Sequence, residues 1–133
     1  MTDPQGVITK RSPGSVADTV AALVELLDAK RIKVFITIDQ QAEAAEVGLT
    51  LRATTLVVFG NPVAGTPVMA KAPRAGLDLP LKILVWDDDG RTQLSYDSVD
   101  AIAARHDLPV ELAAKLDVVD GLSDAVIESL RPR

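Results

Sequence analysis

One lysine in this 133-residue chain stands where a charge is least comfortable: Lys82, in "LPLKILVW", interrupts an otherwise apolar run. On a strand, its ammonium must reach water along its own stem or meet a carboxylate. Two acids are within plausible reach: Asp78, four residues earlier in "GLDLPLK", and Asp39, which closes "KVFITID". Such a lysine is either half of an ion pair at a sheet margin or an electrophile or amine nucleophile with an acid–base partner, suited to carbonyl or lyase chemistry. If Asn61 joins Lys82 and Asp39, the three would form a polar pocket for a small anionic or carbonyl ligand.

A second group of candidates lies in "GNPVAGTP", residues 60–67. Thr66-Pro67 reads as a helix cap followed by proline at the first helical position, and a helix start can offer amides to an anion. The segment lacks the lysine after glycine that a phosphate-binding loop requires. The expected ligand-binding set is therefore Asp39, Asn61, Gly65, Thr66, Asp78 and Lys82.

Other chemistry finds less support. His106 is the only histidine and falls on the apolar side of a helical pattern, which predicts a packed or interfacial side chain. With no cysteine, one histidine and a "DDDG" at 87–90 that fits a hairpin turn better than a calcium loop, no metal site is expected, and no cofactor motif is present. No serine stands in a nucleophile elbow, so no complete catalytic set is visible. Glu43 and Glu46 read as a solvated helix face, and Trp86 and Tyr96 as core or dimer contacts.

The elements that must position these residues follow from periodicity. "GVITKR" is a short first strand. Ser15 caps a helix with Asp18 in its first turn and Val16, Val20, Leu23, Val24 and Leu27 along one face, ending near Lys30. "KVFITID" alternates, with Val34, Ile36 and Ile38 on one side, and "QQAEAAEVG" adds one or two helical turns. "TTLVVFG" is a central strand, apolar on both faces. "LKILVWDDDGRTQLSYD" is two strands joined at Asp89-Gly90, and helical segments follow Ser98, Pro109 and Gly121. Between "VVFG" and "LKILVW" lie twenty residues, far more than a hairpin turn uses, which marks that connection as a built feature. The order β-α-β-β-β-β-α describes an α+β fold, a single antiparallel sheet with helices on one face, and no composition shift divides residues 1–133 into more than one domain.

Composition narrows the partners. A net charge of −5 and four Phe, Trp or Tyr side chains supply neither phosphate neutralisation nor base stacking, so nucleic-acid binding is disfavoured. The first residues lack the basic start and apolar core of a secretory signal, and no apolar run reaches membrane-span length, so a soluble cytoplasmic protein is expected.

"FGNPVAGTPVM", "GLDLPLKILVWDDDG", "VFITIDQQAEAAEVGL" and "IAARHDL" together resemble the bacterial and archaeal domain of unknown function 302 family, over about residues 7–110. Asp39, Asn61, Gly65, Thr66, Asp78, Pro80, Lys82 and Trp86 fall on matching positions. The resemblance implies a TATA-box-binding-protein-like fold and a homodimer whose sheets combine, without importing DNA binding. The family pattern often continues "ID" with His, where this chain has Gln40, so any chemistry using that imidazole would be missing. The leading expectation is a small-molecule-binding or accessory protein with a polar cleft at "GNPVAGT" and "GLDLPLK"; the alternatives are a small enzyme using Lys82 with Asp39 or Asp78, and a dimeric scaffold.

Overall fold

The computed structural model describes residues 1–132. Five strands form one antiparallel sheet: β1 (Val7–Ser12), β2 (Lys33–Asp39), β3 (Thr54–Gly60), β4 (Leu81–Asp88) and β5 (Arg91–Asp97). Their spatial order is β1-β5-β4-β3-β2. Strands β2 to β5 are thus a meander, and the chain's first strand closes the far side against β5, with Val7 opposite Asp97 and Ser12 opposite Thr92.

Alternation sorts the sheet into two faces. Val57 and Phe59 of β3, Ile83 and Val85 of β4, and Leu94 and Tyr96 of β5 are buried on the inner face. Helix α1 (Val16–Ala29) and helix α6 (Val119–Leu130) cover that face and pack on each other. Ser15 caps α1 by accepting from the Asp18 amide at 3.0 Å, and Thr19, Leu23 and Leu27 carry its buried stripe. The expected cap, face and end of this helix are all present.

The outer face carries Leu56, Val58, Leu84 and Trp86, each only partly buried, together with Lys82. Strand β2 departs from simple alternation. Val34 pairs with Phe59 and Ile36 with Val58, adjacent residues on β3, so Phe35 is an extra residue, a β-bulge. Val34 therefore faces the core while Ile36 and Ile38 face outward, a correction to the expectation that all three share a side.

Four helices extend the expected order: α2 (Gln40–Glu46), α3 (Pro62–Lys71), α4 (Val99–His106) and α5 (Val110–Ala113). Two 3-10 turns, Pro73–Leu77 and Ala114–Leu116, complete the connections. Asn61, not Thr66, begins α3; Thr66 and Pro67 lie inside it.

Gly6 and Gly90 both have positive φ, +87° and +89°, but only Gly6 is crowded: an added Cβ would lie 2.4 Å from the Ala101 Cβ, whereas Gly90 has open space. Gly6→Ala is expected to cost about 1–3 kcal/mol more than Gly90→Ala, because it adds a packing clash to the shared backbone strain. Urea unfolding of the two variants checks the ordering.

Candidate functional site

The connection from Gly60 to Leu81 builds a mainly apolar cleft from local rules. Asn61 leaves β3 extended and its Oδ1 accepts from the Val63 amide at 3.0 Å. Pro62 takes the first helical position, where its missing N–H costs nothing. The Ala64 and Gly65 amides both donate to the Asn61 carbonyl at 2.9 Å. The first turn of α3 thus has no amide to spare, which removes the anion site that a helix start could have offered here. Its chemical basis fails twice, since Thr66 is mid-helix and the true start is internally satisfied.

Helix α3 stands off the end of the sheet and leaves a cleft of 370 Å³. Ile32 just before β2, Phe35 of β2, Phe59 and Gly60 of β3, Ala64, Gly65, Thr66 and Met69 of α3, and Leu79–Leu81 form its walls, with Lys115, Leu116 and Val118 closing it from the C-terminal part. Asn61, Gly65 and Thr66 therefore meet here, between the two segments the sequence singled out. The lining is mainly apolar, whereas a polar cleft was expected.

The remaining candidates lie elsewhere. Asp39 pairs across the sheet with Thr55, near the start of β3, while Asn61 follows the end of β3 at Gly60, which pairs with Lys33. Antiparallel pairing thus puts Asp39 and Asn61 at opposite ends of β2 and β3. The Asp39 carboxylate is engaged as the cap of α2, accepting from the Ala42 amide at 3.0 Å. Lys82 lies opposite Val58 on the outer face, its ammonium 3.5 Å from the Asp78 carbonyl and 3.4 Å from that of Pro80. It makes no ion pair among the described residues. The convergence of Asn61, Lys82 and Asp39 does not occur.

Asp78 and Lys82 share a second, smaller hollow of 220 Å³ with Leu84, Ser95 and Asp97. The Asp78 carboxylate turns from Lys82 to α4, where its Oδ2 meets His106 Nε2 at 2.5 Å and accepts from Arg105 Nη1 at 2.7 Å. Burial pushes this carboxyl up, but the hydrogen bonds from His106 and Arg105 outweigh it and hold it below its ordinary range. Only 7% of the His106 side chain is exposed, so the packed histidine expected from sequence has a specific partner 28 residues away. The pair ties the 3-10 turn after α3 to α4 and fixes the chain just ahead of the cleft wall at Leu79.

A polar cluster that sequence reading missed joins β1, β5 and α6. Lys10 Nζ donates to Ser123 Oγ at 2.8 Å and to Asp124 Oδ1 at 2.9 Å, and the Tyr96 hydroxyl donates to Asp120. Burial and the Asp120 bond push the Tyr96 phenol up. A lysine–serine contact can in principle activate a nucleophile, but Ser123 is fully buried and its hydroxyl donates to the Asp120 carbonyl at 2.9 Å. The cluster anchors α6 to the sheet. The signal was available: Lys10 shares the inward parity of Ile8 on β1.

A model of the family described as Domain of unknown function DUF302 matches residues 8–128. The chain belongs to this family. The match runs past residue 110, where the resemblance of the sequence motifs ends, and takes in most of the C-terminal helix. A crystal structure of a DUF302 protein from Bacillus stearothermophilus superposes with a TM-score of 0.78 at 18% identity, covering 95% of this chain and 98% of that one, which shows a shared fold. Proteins named "Fluoride-specific ion channel FluC 1" from Brucella suis and "Fluoride-specific ion channel FluC 2" from Brucella melitensis are 38% identical over 104 residues. The match takes in 77% of this chain but only 41% and 38% of those proteins, so the DUF302 chain spans about two-fifths of the length of these curated relatives.

The Asp78 contacts carry a pH signature. Because the folded-state pKa lies below the unfolded one, Asp78 contributes stability that is fully present above the ordinary carboxylate value of 3.8 and is lost as pH falls through the lower folded value. Asp78→Asn is expected to destabilise by about 1–3 kcal/mol at pH 7, with the gap from the native protein closing below pH 3.8. Urea titrations across the acid range test this; a gap independent of pH would remove the ionic role.

Proposed function

We propose that this DUF302 chain is a small-molecule-binding accessory domain whose ligand occupies the apolar cleft between α3 and the end of the sheet. The observation that carries this reading is the cleft itself. Its 370 Å³ falls in the range of small-ligand sites, and it sits where the long β3–β4 connection departs from the shortest route. Of the expected binding set, Asn61, Gly65 and Thr66 belong to it, Asn61 by capping α3 and Gly65 and Thr66 by lining the helix side. Asp78 supports the wall from behind; Asp39 and Lys82 have no part in it. The alternative enzyme reading loses its acid–base pair, since neither carboxylate meets Lys82.

Gly65 adds support. It lies inside a helix without positive φ, and an added Cβ would meet only the Met69 Cε at 3.9 Å. The fold therefore has no steric use for glycine there, and open space in the cleft accounts for it. Gly65→Ala is expected to stabilise the protein by about 0.5–1 kcal/mol, while Gly65→Leu fills the cleft and abolishes binding. Native mass spectrometry of the purified protein, with and without added apolar metabolites, reads binding directly; retention of a ligand by Gly65→Leu would exclude this cleft.

The fluoride-channel relatives bear on context. No helix among the described residues is long and apolar enough to cross a membrane, so the channel activity in those names is not carried over to this chain. An accessory module joined to a larger partner chain fits the two-fifths share it spans. We place the chain itself in the cytoplasm.

The same proposal includes a homodimer packed through the outer sheet face. Both sheet edges are blunted: Met1 exchanges backbone hydrogen bonds with Thr9 beside β1, and the bulge at Phe35 interrupts β2. The outer face, with Ile36 52% exposed beside Val58 and Leu56, is the surface left for association. Sedimentation velocity is expected to show a dimer at micromolar concentration that Ile36→Glu weakens at least tenfold, about 1.4 kcal/mol. A native protein that sediments as a monomer throughout would refute this part alone.

A further inference from the structure

The cleft supports a narrower assignment, which rests on the binding reading above. Its polar inventory is short. Among its sixteen lining residues Lys115 is the single ionisable side chain. Lys115 is exposed in the 3-10 turn that packs against α3, and it forms no ion pair among the described residues. No carboxylate among the described residues lines the cleft, so an amine or other cation would enter without a counter-charge from them.

Phosphorylated ligands are equally disfavoured. A phosphate dianion needs several donors, commonly helix-start amides or arginines. The α3 amides are spent on Asn61, and no arginine among the described residues lines the site. One positive charge, the Asn61 carboxamide, one hydroxyl at Thr66 and a wall of aromatic and aliphatic carbon remain. The Phe35 ring in the cleft wall also carries the Lys33 ammonium, 4.9 Å from the ring centroid.

We infer that the cleft takes an amphipathic monoanion, with an aliphatic or aromatic body against Phe35, Met69 and Leu79 and a single carboxylate at Lys115. The body supplies affinity by leaving water, at roughly 0.8 kcal/mol per buried methylene. The head group supplies orientation and selects against cations of the same shape.

Isothermal titration of the intact protein with decanoate, decanol and decylamine at pH near 7.5 tests this, because the three share one chain and differ in head-group charge. Decanoate is expected to bind about tenfold more tightly than decanol, the scale of a hydrogen bond to a charged group, and decylamine more weakly than either. Lys115→Met, a change at an exposed position, is expected to bring decanoate to the level of decanol and leave decanol unchanged, with circular dichroism confirming the fold. Equal binding of decanoate and decanol, tighter binding of decylamine, or indifference to Lys115→Met would overturn the head-group assignment while the cleft stands. Failure of decanol and decanoate alike to bind at millimolar concentration would overturn both, through the decanol arm.

Discussion

Strands β3 and β4 are antiparallel neighbours, and most of what is distinctive here follows from that single pairing. Phe59 lies opposite Leu81, so the chain leaves the sheet after Gly60 and re-enters within one strand's width of its exit. A turn of a few residues satisfies such a geometry. Twenty residues must instead fold back on themselves at one end of the sheet, and they do so as a helix and a 3-10 turn. The apolar groups of both, returned to the place they left, have the sheet end and the turn at Leu116 to pack against. They do not fill the space completely, and the remainder is the cleft.

An excursion of this length needs fixed points, since each ordered residue costs about 1–2 kcal/mol of backbone entropy. Asn61 supplies one at its start by satisfying the first free amide of α3. Val68 and Ala75, both fully buried, tie its middle to the core. Asp78 fixes its end through His106 and Arg105, two donors on one carboxylate oxygen. That arrangement explains why Asp78 is unavailable to Lys82 although the two lie four residues apart: a paired guanidinium and imidazole on α4 outcompete a flexible ammonium that reaches solvent and backbone carbonyls along the outer face.

Local signals were legible in the sequence wherever one residue and its near neighbours decide the outcome. The Ser15 cap, the apolar stripe of α1, the Asp89-Gly90 turn and the meander of β2 to β5 all belong to this class, and so did the abnormal length of the β3–β4 connection. The start of α3 was misread because Asn61-Pro62 and Thr66-Pro67 are both cap-plus-proline pairs, and only the return path of the chain selects the earlier one. The partners of Asp78 were illegible for a different reason: His106 is 28 residues distant, and no periodicity encodes a contact across elements. Asp39 was placed beside Asn61 because both end strands, yet antiparallel pairing separates successive strand ends by the length of the sheet. The inward lysine at position 10 followed the rule of two and was readable in hindsight.

The bulge in β2 has a meaning in terms of parity. Deleting a residue from a strand ordinarily turns every later side chain onto the wrong face. Here Phe35 is the residue without a partner, and Val34 and Ile36 already oppose consecutive positions of β3. Removing Phe35 leaves Val34, Ile36, Thr37 and Ile38 on the faces they now occupy. For hydrogen bonding and core packing the sheet can therefore count one residue fewer, and Phe35 is surplus to its architecture. A surplus aromatic on an edge strand is an exposure hazard unless something else employs it, and its ring stands in the wall of the cleft. Substitutions along β2 thus act on the faces of the sheet, whereas a deletion at Phe35 keeps those faces and acts on the cleft opening and on the bulge that blunts the edge.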